Sequence, residues 1–186
     1  MEINQNELNI EREKLSRNYE YCKVSYAGEK FDNVALLNNN ICVLPFETEA
    51  TGKAINALYL SKYYDFLKAK NKVSAMLYRN IEDKDESNLD TVIRCIGDSM
   101  KIPIGDADIK RVFYLGEIEL NNLVSGCIPC YGVNVTGMVK QDVSQYPVND
   151  TLGITLEKFP YVTVLRGTTQ DYLVASAVFM LLSYLS

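Results

Sequence analysis

Glu86, Asp90, Arg94 and Asp98 recur every fourth residue. On a helix they share one face, where they can form i, i+4 ion pairs. The run Glu82-Asp83-Lys84-Asp85-Glu86 comes just before them, acidic charge that suits the positive end of a helix dipole. A second candidate is Cys127-Ile128-Pro129-Cys130, a CxxC with the spacing of half a zinc knuckle or of a redox pair. Zinc would need two further ligands, and Cys22, Cys42 and Cys95 form no second CxxC. A redox pair would open a helix, whereas Tyr131 to Val135 continues as strand, so buried free thiols are the expectation. The chain contains no His, which removes Ser-His-Asp and Cys-His nucleophile systems, the HExxH zinc helix and any imidazole base. Chemistry here must run on carboxylates, Lys, Tyr, Cys or a bound metal.

The elements that must position these residues follow from periodicity. From Glu86 to Met100 the apolar residues Leu89, Val92, Ile93, Ile96 and Met100 keep helical spacing, which predicts a helix with those side chains inward and the charged series outward. Pro103 stops it. Strands are expected at Tyr21 to Tyr26, Ile41 to Leu44 (ended by Pro45), Ala54 to Tyr64, Val73 to Tyr78, Arg111 to Leu120, Ile128 to Val135, Gly153 to Leu156 and Tyr161 to Leu165. A last helix, capped by Thr168, runs to Leu185. Residues Asn4 to Tyr19 are polar, with Leu8, Ile10 and Leu15 their only apolar punctuation, and read as a helical or extended arm. The organisation expected is α+β, with residues 1–40 an N-terminal arm and first strand and residues 41–186 the domain.

The chain has 186 residues, 47% of them hydrophobic and 23% charged, enough for one sizeable core. With 19 Lys+Arg against 24 Asp+Glu, it lacks the concentrated basic surface of a nucleic-acid binder, and no nucleic-acid partner is expected. The 13 Tyr are read as strand formers rather than a base-stacking surface. No apolar window reaches the roughly 18–20 residues of a membrane span. Met1 to Ile10 carry no secretory signal, which points away from signal-peptide secretion and towards a reducing compartment.

From Asn80 to Ile102 the sequence aligns without a gap with the Nudix signature: Gly, five residues, Glu, seven residues, Arg-Glu, an aliphatic, one residue, Glu-Glu, one residue, Gly, an aliphatic. Glu86 falls on the first Glu, Arg94 on the Arg, and Ile96 and Ile102 on the aliphatics. The chain resembles the Nudix hydrolases over about Ile41 to Leu185, which implies a mixed sheet packed by helices. Asn80 and Lys101 stand where the family has Gly, Cys95 where it has Glu, and Asp98 and Ser99 where it has the adjacent Glu-Glu pair. In that family the glutamates hold Mg²⁺ against a pyrophosphate.

With that pair changed, the expectation is no catalysis, no cofactor and no bound metal, leaving Glu86, Arg94, Asp98 and Ser99 as vestigial positions. Ser99→Glu with Asp98→Glu would then raise Mg²⁺ affinity more than it changes stability. An arm too polar to fold alone suggests docking on other protein subunits through Leu8, Ile10 and Leu15. Together with a composition rich in Asn, Lys, Ile and Tyr, this gives an expected noncatalytic subunit of a bacteriophage virion, a neck or tail ring, located in the virion or the host cytoplasm. The alternative is a Mg²⁺-dependent pyrophosphohydrolase of a nucleoside diphosphate derivative, its metal site rebuilt from Glu82, Asp83, Glu86 and Asp98.

Overall fold

A computed structural model describes residues 8–14, 19–26, 29–36, 40–52, 54–65, 70–79, 86–119, 124–139, 147–149, 154–168 and 171–186. Strands β1 (Leu8–Lys14), β2 (Tyr19–Tyr26) and β3 (Glu29–Leu36) form an antiparallel meander. Its fourth strand is the short β9 (Val124–Ser125), parallel to β3. Asn9 and Glu11 of β1, two residues apart and so on one face of the strand, are exposed. The arm is therefore extended over its described part, and Leu8 and Ile10 sit opposite Tyr26 and Val24. Leu15 lies outside the described residues.

The remaining strands build an eight-stranded mixed sheet. These are β4 (Asn40–Thr48), β5 (Ile55–Asp65), β6 (Lys70–Ser74), β7 (Met76–Arg79), β8 (Val112–Glu119), β10 (Cys127–Asn134), β11 (Pro147–Asn149) and β12 (Ile154–Pro160). Its main order is β11-β12-β5-β4-β10-β8, and only β4 and β10 run parallel. β6 pairs the far half of β5, and β7 pairs the near half of β4. The expected stop at Pro45 does not occur. Along one edge of β4 the partner changes from β7, which ends opposite Val43, to β5, which begins opposite Phe46. Pro45 falls in that gap, where no ladder partner needs an N–H on this edge.

Every residue from Ile41 to Phe46 is buried. Alternate side chains feed two cores, which is why this strand reads as a continuous apolar run rather than an alternating one. Cys42, Leu44 and Phe46 join the core beneath helix α3 (Tyr172–Leu185), with Val174, Ala177 and Leu181. Ile41 and Val43 join the core beneath helix α1 (Asn88–Met100), with Val92, Cys95 and Ile96. The domain is thus helix, sheet, helix. On the α3 side Gly132 of β10 lets Leu181 approach: a Cβ there would stand 3.3–3.4 Å from Leu115, Leu181 and Phe46.

Two expectations near the C-terminus are corrected. Tyr161 to Leu165 is not a strand, because the ladder of β12 ends at Pro160, opposite Ala57. The chain then turns through the short helix α2 (Tyr161–Thr163) and a π-turn at Val164–Thr168. The cap of α3 is Asp171 rather than Thr168, its carboxylate accepting from the N–H groups of Leu173 and Val174 at 2.9 and 3.2 Å. Among the described residues no helix is long and apolar enough to cross a membrane.

The α1-side core ends in a polar cluster. Glu47 accepts from the Tyr59 hydroxyl at 2.5 Å and from Lys158 Nζ at 2.6 Å, and that ammonium lies 5.7 Å from the centre of the Tyr59 ring. Burial alone would raise the Glu47 pKa, but the bonds from Lys158 and Tyr59 outweigh it and hold the carboxyl below its ordinary value of 4.5. A depressed folded-state pKa contributes stability above the unfolded value and loses it as pH falls through the folded one. Glu47→Gln should therefore lower stability by about 1–2 kcal/mol at pH 7. Chemical denaturation from pH 7 to pH 3 should show wild type and variant converging on the acid side.

Candidate functional site

α1 begins with Ser87 as its N-cap. Its Oγ accepts from the Asp90 N–H at 3.1 Å, while the Asp90 carboxylate accepts from the Ser87 N–H at 3.2 Å. This capping box takes Asp90 out of the ion-pair ladder that the spacing suggested. The signal was in the sequence, as Ser87-Asn88-Leu89-Asp90, but the acidic run before it drew the reading to charge alone.

With the start fixed at Ser87, Glu86 lies just outside the helix and folds back along it. Its carboxylate meets Arg94 side-on, Nε to Oε1 at 2.7 Å and Nη2 to Oε2 at 2.9 Å. The pair is eight residues apart, so it ties Glu86, the residue before the N-cap, to the second turn of α1 rather than bracing neighbouring turns. The Glu86 side chain is 9% exposed, so the bidentate geometry works in a partly dehydrated place. Asp98 lies on the other side of the same guanidinium, 4.0 Å from Nη1, and its side chain is 59% exposed.

The buried face of α1 is rotated from the one expected. Thr91, Val92, Cys95, Ile96, Ser99 and Met100 are buried, whereas Leu89 and Ile93 are half-buried. Thr91, Cys95 and Ser99 form an i, i+4, i+8 stripe of small side chains that lets the helix lie close on β4 and β7. The thiol of Cys95 is pushed up by burial, against a hydrogen bond with Ser99 that pulls it down. At the end of the helix Lys101 takes a left-handed conformation, φ 57°, where the signature has Gly. Its ammonium donates to the Asp98 carbonyl at 2.8 Å.

The resemblance implies Mg²⁺ held on this helix. Both oxygens of Glu86 are engaged by Arg94, Asp98 shares that cation, and Cys95 and Ser99 point into the core. Among the described residues no three His, Cys, Asp or Glu come together as a metal would require. These residues do not fit a divalent ion on α1. Glu82 and Asp83, the other two members of the rebuilt site, lie outside the described residues.

The CxxC lies on β10, where Cys127 and Cys130 fall on opposite faces of the sheet. Cys130 sits opposite Cys42 of β4 instead, both buried and both free. A hydrogen bond between the two thiols, with burial, holds Cys42 well above its ordinary pKa. Two further clusters carry no signal in the sequence. One is Glu47, Tyr59 and Lys158, contributed by three strands. The other is Tyr114 and Tyr131 on β8 and β10, their ring centres 5.3 Å apart.

No protein-family model matches the sequence, and no curated protein does. Among solved structures the chain is similar to "Crystal structure of ADP compounds hydrolase", with a TM-score of 0.58 and 14% identity over 95% of this chain and 91% of that one. The fold is Nudix-like. The similarity extends to the N-terminal meander, since it covers nearly the whole chain rather than residues 41–186 alone. It also corrects the expectation that the chain is not an enzyme, because the solved structure sharing this architecture is that of a hydrolase. That likeness supports the pyrophosphohydrolase alternative better than the virion-subunit reading.

Two outcomes follow from the helix. Ser99→Glu places a carboxylate at a position 1% exposed and should cost about 3 kcal/mol or more, while Asp98→Glu on the exposed face should change stability by less than about 0.5 kcal/mol. Denaturant midpoints of the two variants should separate accordingly, contrary to the expectation that the double change raises Mg²⁺ affinity more than it changes stability. Lys101→Gly removes a side chain from a left-handed position and should stabilise by roughly 0.5–1 kcal/mol, read as a rise in melting temperature.

Proposed function

We propose that the protein hydrolyses the pyrophosphate bond of a nucleoside diphosphate derivative. Water adds to one phosphorus, the bridging P–O bond breaks, and a nucleoside monophosphate leaves together with the phosphorylated remainder. The observation that carries this reading is the near full-length likeness in fold to an ADP compounds hydrolase, meander included. The Glu86–Arg94 clamp adds support, because the two residues that coincide with charged positions of the signature meet in space at 2.7 Å. A purely solvated ladder would have left Glu86 in water.

In this reading the clamp is a positioning device. Arg94 fixes Glu86 at the entry of α1. It adds no nucleophile. The bond-breaking step is assigned to no described residue of α1, and no step is routed through a metal there.

The test is release of nucleoside monophosphate from a panel of ADP sugars, ADP alcohols and dinucleotides by the full chain, with Mg²⁺ and with chelator. Turnover of at least one compound well above the enzyme-free blank is expected. Arg94→Ala should lower that turnover and destabilise the fold by about 2 kcal/mol, since it leaves the Glu86 carboxylate largely buried without its cation. A folded chain that turns over no member of the panel, in either condition, would falsify the proposal.

A further inference from the structure

The α1-side face of β8 and β10 extends past the helix that covers the middle of the sheet. Gly116, at φ 130°, sits in a bulge that leaves Leu115 between two register pairs, Tyr114 opposite Tyr131 and Gly116 opposite Cys130. Through this shift Tyr114 and Glu117 come to lie on one face. Glu117 is opposite Pro129, which shares the α1 side of β10 with Tyr131, and Glu119 is opposite Cys127 on the same side. Tyr114 is 53% exposed, and Glu117 and Glu119 are exposed beside it. Tyr131 is half-buried against the α1-side core, its ring tilted 55° to that of Tyr114.

The charge on this face has one sign. The segments Val112–Glu119 and Cys127–Asn134 contain two Glu and no Lys or Arg. Charges on an edge strand commonly serve to block pairing with another sheet, but that purpose does not call for two tyrosine rings packed beside them. Partial burial of its ring and the nearby Glu117 carboxylate raise the Tyr114 hydroxyl pKa, so the ring stays a neutral phenol at physiological pH. An exposed ring face with negative electrostatic potential, flanked by carboxylates, complements a bulky organic cation and repels a phosphate.

We propose that this face, Tyr114 and Tyr131 with Glu117 and Glu119, binds an organic cation, the head group of the nucleoside diphosphate compound that the chain hydrolyses. The inference rests on the hydrolase reading and narrows it to substrates whose second alcohol carries a quaternary or primary ammonium. The ammonium lies over the Tyr114 ring with Glu117 beside it, which directs the anionic pyrophosphate away from β8.

The experiment compares the full chain on ADP-choline and on its neutral isostere, ADP esterified with 3,3-dimethylbutanol. A KM about tenfold lower for the choline ester is expected, the size of one cation–π contact assisted by a carboxylate. Tyr114→Ala and Glu117→Gln should each collapse the ratio of the two KM values towards one, and Tyr114→Phe should keep it. Equal KM values for the two esters in the wild type would overturn the inference while leaving the hydrolase reading intact. If neither ester nor any other nucleoside diphosphate compound is hydrolysed, the hydrolase reading is what fails. The face is then tested by titrating choline alone against the aromatic resonances of the tyrosines. Saturable shifts at Tyr114 that Glu117→Gln weakens would support it, and no shift at 10 mM choline on the order of the weakest such contacts would overturn it.

Discussion

β4 is buried on both faces, and most of the domain answers to that constraint. A strand from Ile41 to Phe46 with no wet side needs a helix above and a helix below, and α1 and α3 meet the need from opposite ends of the chain. Polar groups near such a sheet have little water to turn to, so each must find a partner within the protein. Among the described residues no buried side-chain nitrogen or oxygen lacks one. Glu86 with Arg94, and Glu47 with Tyr59 and Lys158, are two solutions of the same problem at two rims of one sheet. The pairing that secures the fold also occupies carboxylate oxygens that would otherwise be open to a cation.

The strongest local patterns were legible in the sequence. A five-residue apolar series at helical spacing marked α1, and the runs at Ile55–Asp65, Val112–Glu119 and Cys127–Asn134 appeared as strands close to their expected bounds. What failed were inferences from single residues. Pro45 reads as a terminator from the strand alone, but its meaning depends on where β7 hands over to β5, a property of the sheet and not of the strand. Tyr161 to Leu165 has strand-like composition, yet it has no ladder partner once β12 ends.

For the site, spacing gave the residues and missed their geometry. Glu86, Asp90, Arg94 and Asp98 looked like one ladder because a helix was assumed to start at Glu86. The helix starts two residues later, at Asn88 with Ser87 as its cap, which turns Asp90 to the cap and lets Glu86 reach Arg94 over two turns. The rotation of α1 that buries Cys95 and Ser99 was hidden because Leu89 and Ile93 outweigh small residues in any hydropathy pattern, whereas close approach to β4 favours the small ones. Tyr114, Glu117 and Tyr131 were invisible for another reason: a bulge at Gly116 sets which of them share a face.

The account holds at its centre that Glu86 serves Arg94 and that α1 offers no seat for a divalent cation. The most direct measurement is a titration of isotopically labelled protein with Mn²⁺, following paramagnetic broadening of the amide resonances from Glu86 to Met100. A closed Glu86–Arg94–Asp98 set predicts that these resonances broaden no more than those of other exposed acidic segments at millimolar Mn²⁺. Selective broadening centred on Glu86 and Asp98 at micromolar Mn²⁺ would contradict it and return the helix to metal chemistry.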